Sequence, residues 1–183
     1  ICQTFHSGWK RNIEDIREIV IHGTPGSSAT GLLGWMLGGE RKSEYKKGIA
    51  LFHFLIGRYG EIYQIAPLER WYYHSSSGKH DQFTIGIELL KDGVGNHGTY
   101  TERQMVSLED LVMEDLLLGC KNINRIVSHD YNNNTYSGNR KNCPGENFSW
   151  TQIRDWFRKR NIDLIPELFT DVIEFQPVTI VRG

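Results

Sequence analysis

The hydrophobic residues of this chain cluster in short continuous runs that end in turn residues, a pattern typical of buried β-strands. One run, REIVIHGT, covers residues 17–24, and a second, FTIGIELL, covers residues 83–90. A third, NRIVSHD, covers residues 124–130. Two more runs, IALFHFLIG and GEIYQIAPL, flank the turn around Tyr59 and predict a hairpin.

Other segments repeat their apolar residues at helical spacing. The clearest follows Thr101, because Gln104 three residues later completes the signature of a capping box. Its apolar positions are Met105, Leu108, Leu111, Val112, Leu116 and Leu117. A second helix is predicted to begin at Ser149, and a short one is expected over residues 30–37. Strands that alternate with helices predict an α/β fold, a single domain over residues 1–183 with helices flanking a mixed central β-sheet.

Composition and charge exclude several classes of function. The chain carries 21 basic and 22 acidic residues without a run of like charge, so we expect no nucleic-acid binding. No apolar run approaches the ~20 residues of a membrane span. We expect the protein to be a monomer. The three cysteines, an odd number, argue against a disulfide framework and leave at least one thiol for other chemistry. The chain begins with Ile rather than Met, so an export signal could have been removed, which leaves the cellular location open.

Two imidazoles stand at the ends of predicted strands, His22 after EIVI and His129 after RIVS. Taken singly, each is more often a hydrogen-bonded structural histidine than a metal ligand. Cys143 changes this balance, because a thiolate and two imidazoles suit Zn²⁺ and leave its fourth position to water. It closes the polar stretch SHDYNNNTYSGNRKNCPG, which we predict to be a structureless insert. Three histidines without such a setting are predicted to lie at the surface: His6, His80 and His97.

Five motifs follow one another along the chain: IVIHGT, FHFLIGRYGEIYQ, WYYHSSSG, TIGIEL and RKNCPG. In this order they resemble the zinc-dependent N-acetylmuramoyl-L-alanine amidases of the phage-lysozyme and peptidoglycan-recognition superfamily, over residues 17–158. The resemblance implies that His22, His129 and Cys143 bind the zinc ion. Residues 161–183 lie beyond it and are apolar enough either to pack on the domain or to form an interface.

Glu88 interrupts an apolar run, where an ionised carboxylate is costly unless it is paired or solvated. It could belong to a structural ion pair, or it could be the general base that takes a proton from the attacking water. The resemblance favours the base, because cytoplasmic relatives that act on anhydromuropeptides have a glutamate in the same Gly-Ile-Glu-Leu strand. Lys141 matches the family's cleft lysine, which implies that it stabilises the oxyanion. Arg140 beside it is predicted to point into the cleft.

The sequence departs from phage-type relatives at Phe52, where those proteins have a catalytic tyrosine, so acid and base work is expected to fall on Glu88. Three further residues are predicted to contact substrate. His74 matches a family histidine near the metal. For His53, which follows Phe52 in the hairpin, core packing is an equal alternative. Trp71 belongs to an aromatic group that either lines a sugar or peptide groove or packs internally.

Together these residues predict a zinc hydrolase that cleaves the amide bond between the lactyl group of N-acetylmuramic acid and L-alanine in peptidoglycan or muropeptides. Zn²⁺ is the expected cofactor. One alternative is a module that binds peptidoglycan without cutting it, although such relatives typically lack one of the ligands that this chain retains. Another is a zinc peptidase that cuts within the stem peptide. An exported protein of the cell envelope or a phage-encoded lysin is expected rather than a strictly cytoplasmic protein.

Overall fold

The computed structural model describes residues 8–26, 28–37, 52–75, 77–93, 97–138, 140–166 and 169–177. The strands in these ranges are β1 (Trp9–Lys10), β2 (Glu18–Pro25), β3 (Phe54–Ile56), β4 (Ile62–Gln64), β5 (Arg70–Trp71), β6 (Thr84–Lys91), β7 (Arg125–Ser128) and β8 (Val172–Glu174). The helices are α1 (Ala29–Leu37), α2 (Gly78–Asp81), α3 (Glu102–Asp110), α4 (Leu117–Gly119), α5 (His129–Ser137) and α6 (Trp150–Lys159). A 3-10 turn covers Ile13–Asp15, and a π-helical segment, Leu111–Leu116, connects α3 to α4.

Six of the strands form one mixed sheet in the order β4-β3-β6-β2-β7-β8. The four central strands run parallel, and the edge strands β4 and β8 pair antiparallel with their neighbours. β1 and β5 form a separate antiparallel pair. The predicted α/β fold, with helices flanking a mixed sheet, is therefore confirmed, and the predicted hairpin is β3 and β4.

The two faces of the sheet have different covers, because side chains alternate between them along each strand. One face carries the main core, in which α3 and α6 cover β2 and β6 with these buried residues: Ile19, Ile21, Ile85, Ile87, Leu89, Met105, Leu108, Trp156 and Phe157. We call the opposite face the site face; it carries Glu18, Val20 and His22 of β2 with Gly86 and Glu88 of β6. Smaller apolar clusters that include residues of α1 and α5 cover part of it.

The predicted helix signals act as expected. The Thr101 side chain accepts a hydrogen bond from Gln104 N, and Thr101 N donates to Gln104 Oε1, so the capping box is present. Ser149 Oγ accepts from Gln152 N at the start of α6. Within the described ranges, no helix has both the length and the apolar character needed to cross a membrane.

The stretch between Ser128 and Cys143 is not wholly structureless, which corrects the prediction made from sequence. Its first part is α5, which begins where Ser128 Oγ accepts from Tyr131 N (2.8 Å). The helix ends at Gly138, whose φ of +71° is the left-handed conformation common at helix ends. The sequence lacks the apolar repeat of an amphipathic helix because the buried residues of α5 are polar: His129, Asn132 and Asn133.

Part of the chain beyond residue 160 belongs to the same domain. β8 extends the sheet beside β7, with Ile173 opposite Ile126. Ile173 and Phe175 are buried in the main core, where the ring of Phe175 lies 4.6 Å from that of Phe157. Residues 172–175 of the C-terminal tail therefore pack on the domain.

Candidate functional site

The structure brings the three predicted metal ligands together at one edge of the site face. His22 lies in β2, and His129 is the first residue of α5, directly after β7. Because Ile21 pairs with Ser128 across these parallel strands, the next residues of each chain segment are neighbours, and their rings lie 4.3 Å apart. One potential donor atom each from His22, His129 and Cys143 lies within 4.8 Å of the other two.

Hydrogen bonds from three directions hold Cys143 in this position. Gly23 N donates to its sulfur (3.4 Å), and Asp130 N donates to its carbonyl oxygen (2.9 Å). The next carbonyl, that of Pro144, accepts from the Tyr100 hydroxyl (2.7 Å) and from Lys91 Nζ (3.4 Å). A side chain at Gly23 would collide with the Tyr100 hydroxyl, so glycine is required there. Tyr100 and Lys91 lie far from Cys143 in sequence, and no local pattern identified them.

The ionisation of the three side chains fits a metal site. Burial lowers the pKa of His22 well below its usual range and that of His129 to about 4, and the Lys141 ammonium acts in the same direction. Both imidazoles are therefore neutral and can donate a lone pair at physiological pH. Burial, helped by Glu88, raises the pKa of the Cys143 thiol to about 12 in the metal-free protein, and a bound divalent cation would stabilise its thiolate. Two neutral imidazoles and a thiolate suit zinc.

Glu88 is placed beside this group by strand pairing. It lies opposite His22 in the register of β2 and β6, so both side chains lie on the site face. Burial raises the pKa of Glu88 to about 8, while Lys91 and a hydrogen bond with Thr24 act in the opposite direction. In the metal-free protein the carboxyl group is therefore protonated at neutral pH. A cation in the adjacent site would lower this pKa and favour the carboxylate.

His74 contacts His22, one of the predicted metal ligands, and its side chain is almost inaccessible to solvent. Its side chain is 3% exposed, and its Nδ1 lies 3.1 Å from His22 Nε2. Its Nε2 lies 2.8 Å from the Thr84 hydroxyl oxygen, which is 3.2 Å from the Asp81 carbonyl oxygen. The ring rests on Gly86, where a Cβ atom would approach it to 2.9 Å. His74 therefore lies behind His22 with little exposed surface, which argues against the predicted contact with substrate.

The direction of these hydrogen bonds identifies the free nitrogen of His22. A carbonyl oxygen only accepts, so the Thr84 hydroxyl donates to Asp81 and accepts from Nε2–H of His74. Burial lowers the pKa of His74 well below its usual range, so the ring is neutral and its Nδ1 is an acceptor. His22 must then donate through Nε2–H, which leaves its Nδ1 lone pair for a metal.

His53 has no exposed atoms and lies within the core. Its Nδ1 accepts from Gly86 N (3.1 Å), and its Nε2 lies 3.0 Å from the Arg70 carbonyl oxygen. Both ring nitrogens therefore have protein partners. The packing alternative holds for His53, and the predicted substrate contact is incompatible with this burial.

The remaining predicted site residues are the catalytic candidate Lys141 and two substrate-binding candidates, Arg140 and Trp71, and each has at least part of its surface exposed. Lys141 is exposed, and its backbone N donates to Asp130 Oδ1 (2.8 Å). Its ammonium is near enough to lower the pKa of both His22 and His129. The Arg140 side chain is 76% exposed and pairs with Asp130 at 3.5 Å. Trp71 is half-buried and stacks on Trp9, with ring centroids 4.4 Å apart.

The three histidines predicted at the surface have different outcomes. The His97 side chain is 81% exposed, as expected. His80 is not a simple surface residue, because its side chain is 13% exposed and its Nε2 lies 2.8 Å from the buried Glu18 carboxylate. His6 lies outside the described residues.

Comparisons with known proteins found a family match and structural neighbours. A family model described as N-acetylmuramoyl-L-alanine amidase matches residues 12–146, which is most of the chain. A search of curated protein sequences gave no match.

Solved structures share the fold at low sequence identity. The N-acetylmuramoyl-L-alanine amidase LysC from Clostridium intestinale URNW is 22% identical, with a TM-score of 0.59 over 89% of this chain and 96% of that one. The Ph2119 endolysin from the Thermus scotoductus MAT2119 bacteriophage is 16% identical, with a TM-score of 0.60 over 84% and 92% of the two chains. PGRP-SA of Apis mellifera is 16% identical, with a TM-score of 0.55 over 83% and 92%.

Proposed function

The chain belongs to the N-acetylmuramoyl-L-alanine amidase family, and from this membership we propose that it is a zinc hydrolase of peptidoglycan or muropeptides. The bond cleaved is the amide between the lactyl group of N-acetylmuramic acid and L-alanine. The observation that carries the proposal is the meeting of His22, His129 and Cys143 with Glu88 opposite His22 on the neighbouring strand. This arrangement places a nitrogen and sulfur donor set next to a group that can carry a proton.

The metal would be held by His22, His129 and Cys143. When bound, Zn²⁺ supplies Lewis acidity, which polarises the lactyl carbonyl and makes an attacking water more acidic. The protein residues then move the protons. The Glu88 carboxylate takes a proton from the water while the water oxygen attacks the carbonyl carbon. Glu88 then delivers that proton to the L-alanine nitrogen as the C–N bond breaks. Burial raises the pKa of this carboxyl group and a bound cation would lower it again, so the group would be ionised before the attack and could still hold the proton between the two steps.

Two basic residues and an aromatic residue would act on the substrate from the surface. The Lys141 ammonium, which lies near the histidine ligands, would stabilise the negative charge that develops on the carbonyl oxygen. Arg140 and Trp71 are exposed enough to contact the stem peptide or sugar. His53 and His74 contribute by packing and by support of His22.

The cell wall is the proposed place of action. Two structural neighbours carry the description endolysin, and we propose an exported or phage-encoded lysin that works as a monomer. Peptidoglycan binding without cleavage is the alternative that the PGRP neighbours suggest. Retention of the three-ligand group with Glu88 beside it favours catalysis over binding alone.

Mass spectrometry of products from one defined muropeptide tests the proposal. An amidase releases the complete stem peptide with a free L-alanine amine and leaves a lactyl carboxylate on the sugar. A stem-peptide peptidase releases shortened peptides, and a binding module releases nothing. Glu88→Gln should lower turnover by ~10²- to 10⁴-fold and keep bound zinc, whereas Glu69→Gln, at an exposed position, should match the wild type. Shortened peptides or an absence of products with zinc-loaded protein would overturn the proposal.

A further inference from the structure

Among the residues that the structure describes, two buried side-chain atoms have no hydrogen-bond partner: His129 Nε2 and Asn132 Oδ1. An unpaired polar atom in the interior is costly, so each requires an explanation. The two are complementary, because an imidazole nitrogen can donate and an amide oxygen accepts. They also lie one turn apart on the same side of α5, with Cβ atoms about 5–6 Å from each other.

Asn132 is fixed by a buried cluster at the start of β2. Its Nδ2 donates to Glu18 Oε1 (2.8 Å), which also lies 2.8 Å from His80 Nε2. The other carboxylate oxygen accepts from Arg125 Nε at 2.5 Å. Glu18 is 1% exposed and Asn132 has no exposed surface, so this Glu18 cluster (Glu18, His80, Arg125 and Asn132) forms a polar core beneath α5.

The cluster determines which way the Asn132 amide faces. A carboxylate only accepts hydrogen bonds, so the amide nitrogen must face Glu18 and the amide oxygen must face away from it. Glu18 and His22 both lie on the site face of β2, and α5 sets Asn132 on Glu18 and His129 beside His22. The free oxygen of Asn132 and the free nitrogen of His129 therefore belong to one polar layer between α5 and β2.

We propose that Asn132 is a positioning residue of the proposed metal centre, whose oxygen accepts the Nε2–H of His129 through one bridging water. The Glu18 cluster then fixes the ring of His129 and leaves its Nδ1 to the metal. In the same way, His74 accepts the ring N–H of the other proposed ligand, His22. Metal-binding histidines usually donate their second ring N–H to such an acceptor. The inference rests on the metal centre proposed above, and it assigns a function to three residues that belong to neither the proposed ligands nor the proposed substrate contacts: Glu18, Asn132 and Arg125.

Asn132→Leu is the direct test, with Asn133→Ala as its control. Leucine has the same branched arrangement of four side-chain heavy atoms as asparagine, but it neither donates nor accepts a hydrogen bond. Asn133 is also fully buried in α5, but its side-chain oxygen accepts from the Ser137 hydroxyl, so its loss perturbs the helix without touching the proposed contact. Competition with a chromophoric chelator should show the zinc dissociation constant of Asn132→Leu raised by ~10- to 100-fold, and that of Asn133→Ala changed by less than about threefold. Equal affinities in both variants would overturn the proposal.

The ring proton of His129 provides a second readout that does not depend on any variant or on catalysis. Long-range ¹H–¹⁵N spectra of the wild-type protein, with and without zinc, should show Nε2 protonated and Nδ1 unprotonated. The reverse tautomer would make Nε2 the metal donor and would overturn the proposal, even if Asn132→Leu fails to fold. If the protein bound no zinc at all, the proposed function would fail, and the role of Asn132 in a metal centre would fail with it. A normal zinc content with the reverse His129 tautomer would overturn only the role of Asn132.

Discussion

Replacing Glu88 by glutamine should stabilise the metal-free protein at neutral pH while it abolishes most activity. The carboxyl group is held where burial raises its pKa from the usual 4.5 to about 8. In the unfolded chain the same group is ionised above pH 4.5. Above that pH, folding therefore requires the Glu88 carboxylate either to take up a proton or to be buried with its negative charge, and both cost free energy. Glutamine keeps the shape and has no proton to retain.

The size of the effect follows from the two pKa values. Because the folded-state pKa is the higher one, the contribution of Glu88 to stability is fully present below pH 4.5 and is lost as the pH rises toward 8. Each pH unit in this window lowers the free energy of unfolding by about 1.4 kcal/mol, so the loss would amount to roughly 3 kcal/mol at pH 7. Glu88 is half-buried, and the remaining solvent contact reduces the expected gain from Glu88→Gln to about 2 kcal/mol.

Urea unfolding of both proteins at several pH values between 4.5 and 8, in the presence of a chelator, measures this difference. Buried histidines also make stability depend on pH, but they are common to both proteins and cancel in the comparison. The gain should be near zero at pH 4.5 and should grow with pH, whereas Glu69→Gln at an exposed position should show no trend. A constant difference across this range, or a less stable Glu88→Gln protein at pH 7, would refute the reasoning.

Three other substitutions test separate parts of the molecule. Cys143→Ser should reduce zinc retained after dialysis against a mild chelator from about one ion per chain to a small fraction, because the thiolate is the anionic ligand of the group. Full retention by elemental analysis would contradict the assignment. Lys141→Ala should lower kcat on a defined muropeptide by ~10²- to 10³-fold. A change confined to KM would instead place Lys141 in substrate binding. Arg11→Met should lower the free energy of unfolding in urea by about 2–4 kcal/mol, because the guanidinium donates to the Leu68 and Thr84 carbonyls at 2.7 and 2.6 Å. Lys10→Met, at an exposed neighbour, should change it by less than about 0.5 kcal/mol, and equal effects would refute this role.

The parts of the fold that depend on local sequence were predictable. The apolar runs identified the central strands because strands buried on both faces lack polar alternation. Thr101 and Gln104 identified the start of α3 because a capping box is complete within four residues. α5 was missed because its buried residues are asparagines and a histidine, so the hydrophobic pattern that signals a helix is absent. β8 was missed because its pairing with β7 joins segments more than forty residues apart.

The same division applies to the candidate site. The three expected metal ligands were inferred from strand ends and from the family resemblance, and the structure brings their side chains together. The supporting contacts could not be predicted, because each joins distant parts of the chain. His74 reaches His22 only because Gly86 leaves room for its ring, and Tyr100 reaches the Cys143 loop only because Gly23 has no side chain. Neither glycine has a sequence signal that distinguishes it from a turn or bulge residue.

The position of β8 has a practical consequence for any shortened version of this protein. The family match ends at residue 146, and a fragment cut there would still contain every proposed ligand. It would lack α6, whose Trp156 and Phe157 fill the main core, and β8, which covers the outer edge of β7. β7 leads directly into His129, so its exposed edge would be free to pair with other chains beside the proposed metal site. Such a fragment should aggregate and lose zinc together, and a minimal soluble enzyme should extend at least through Phe175.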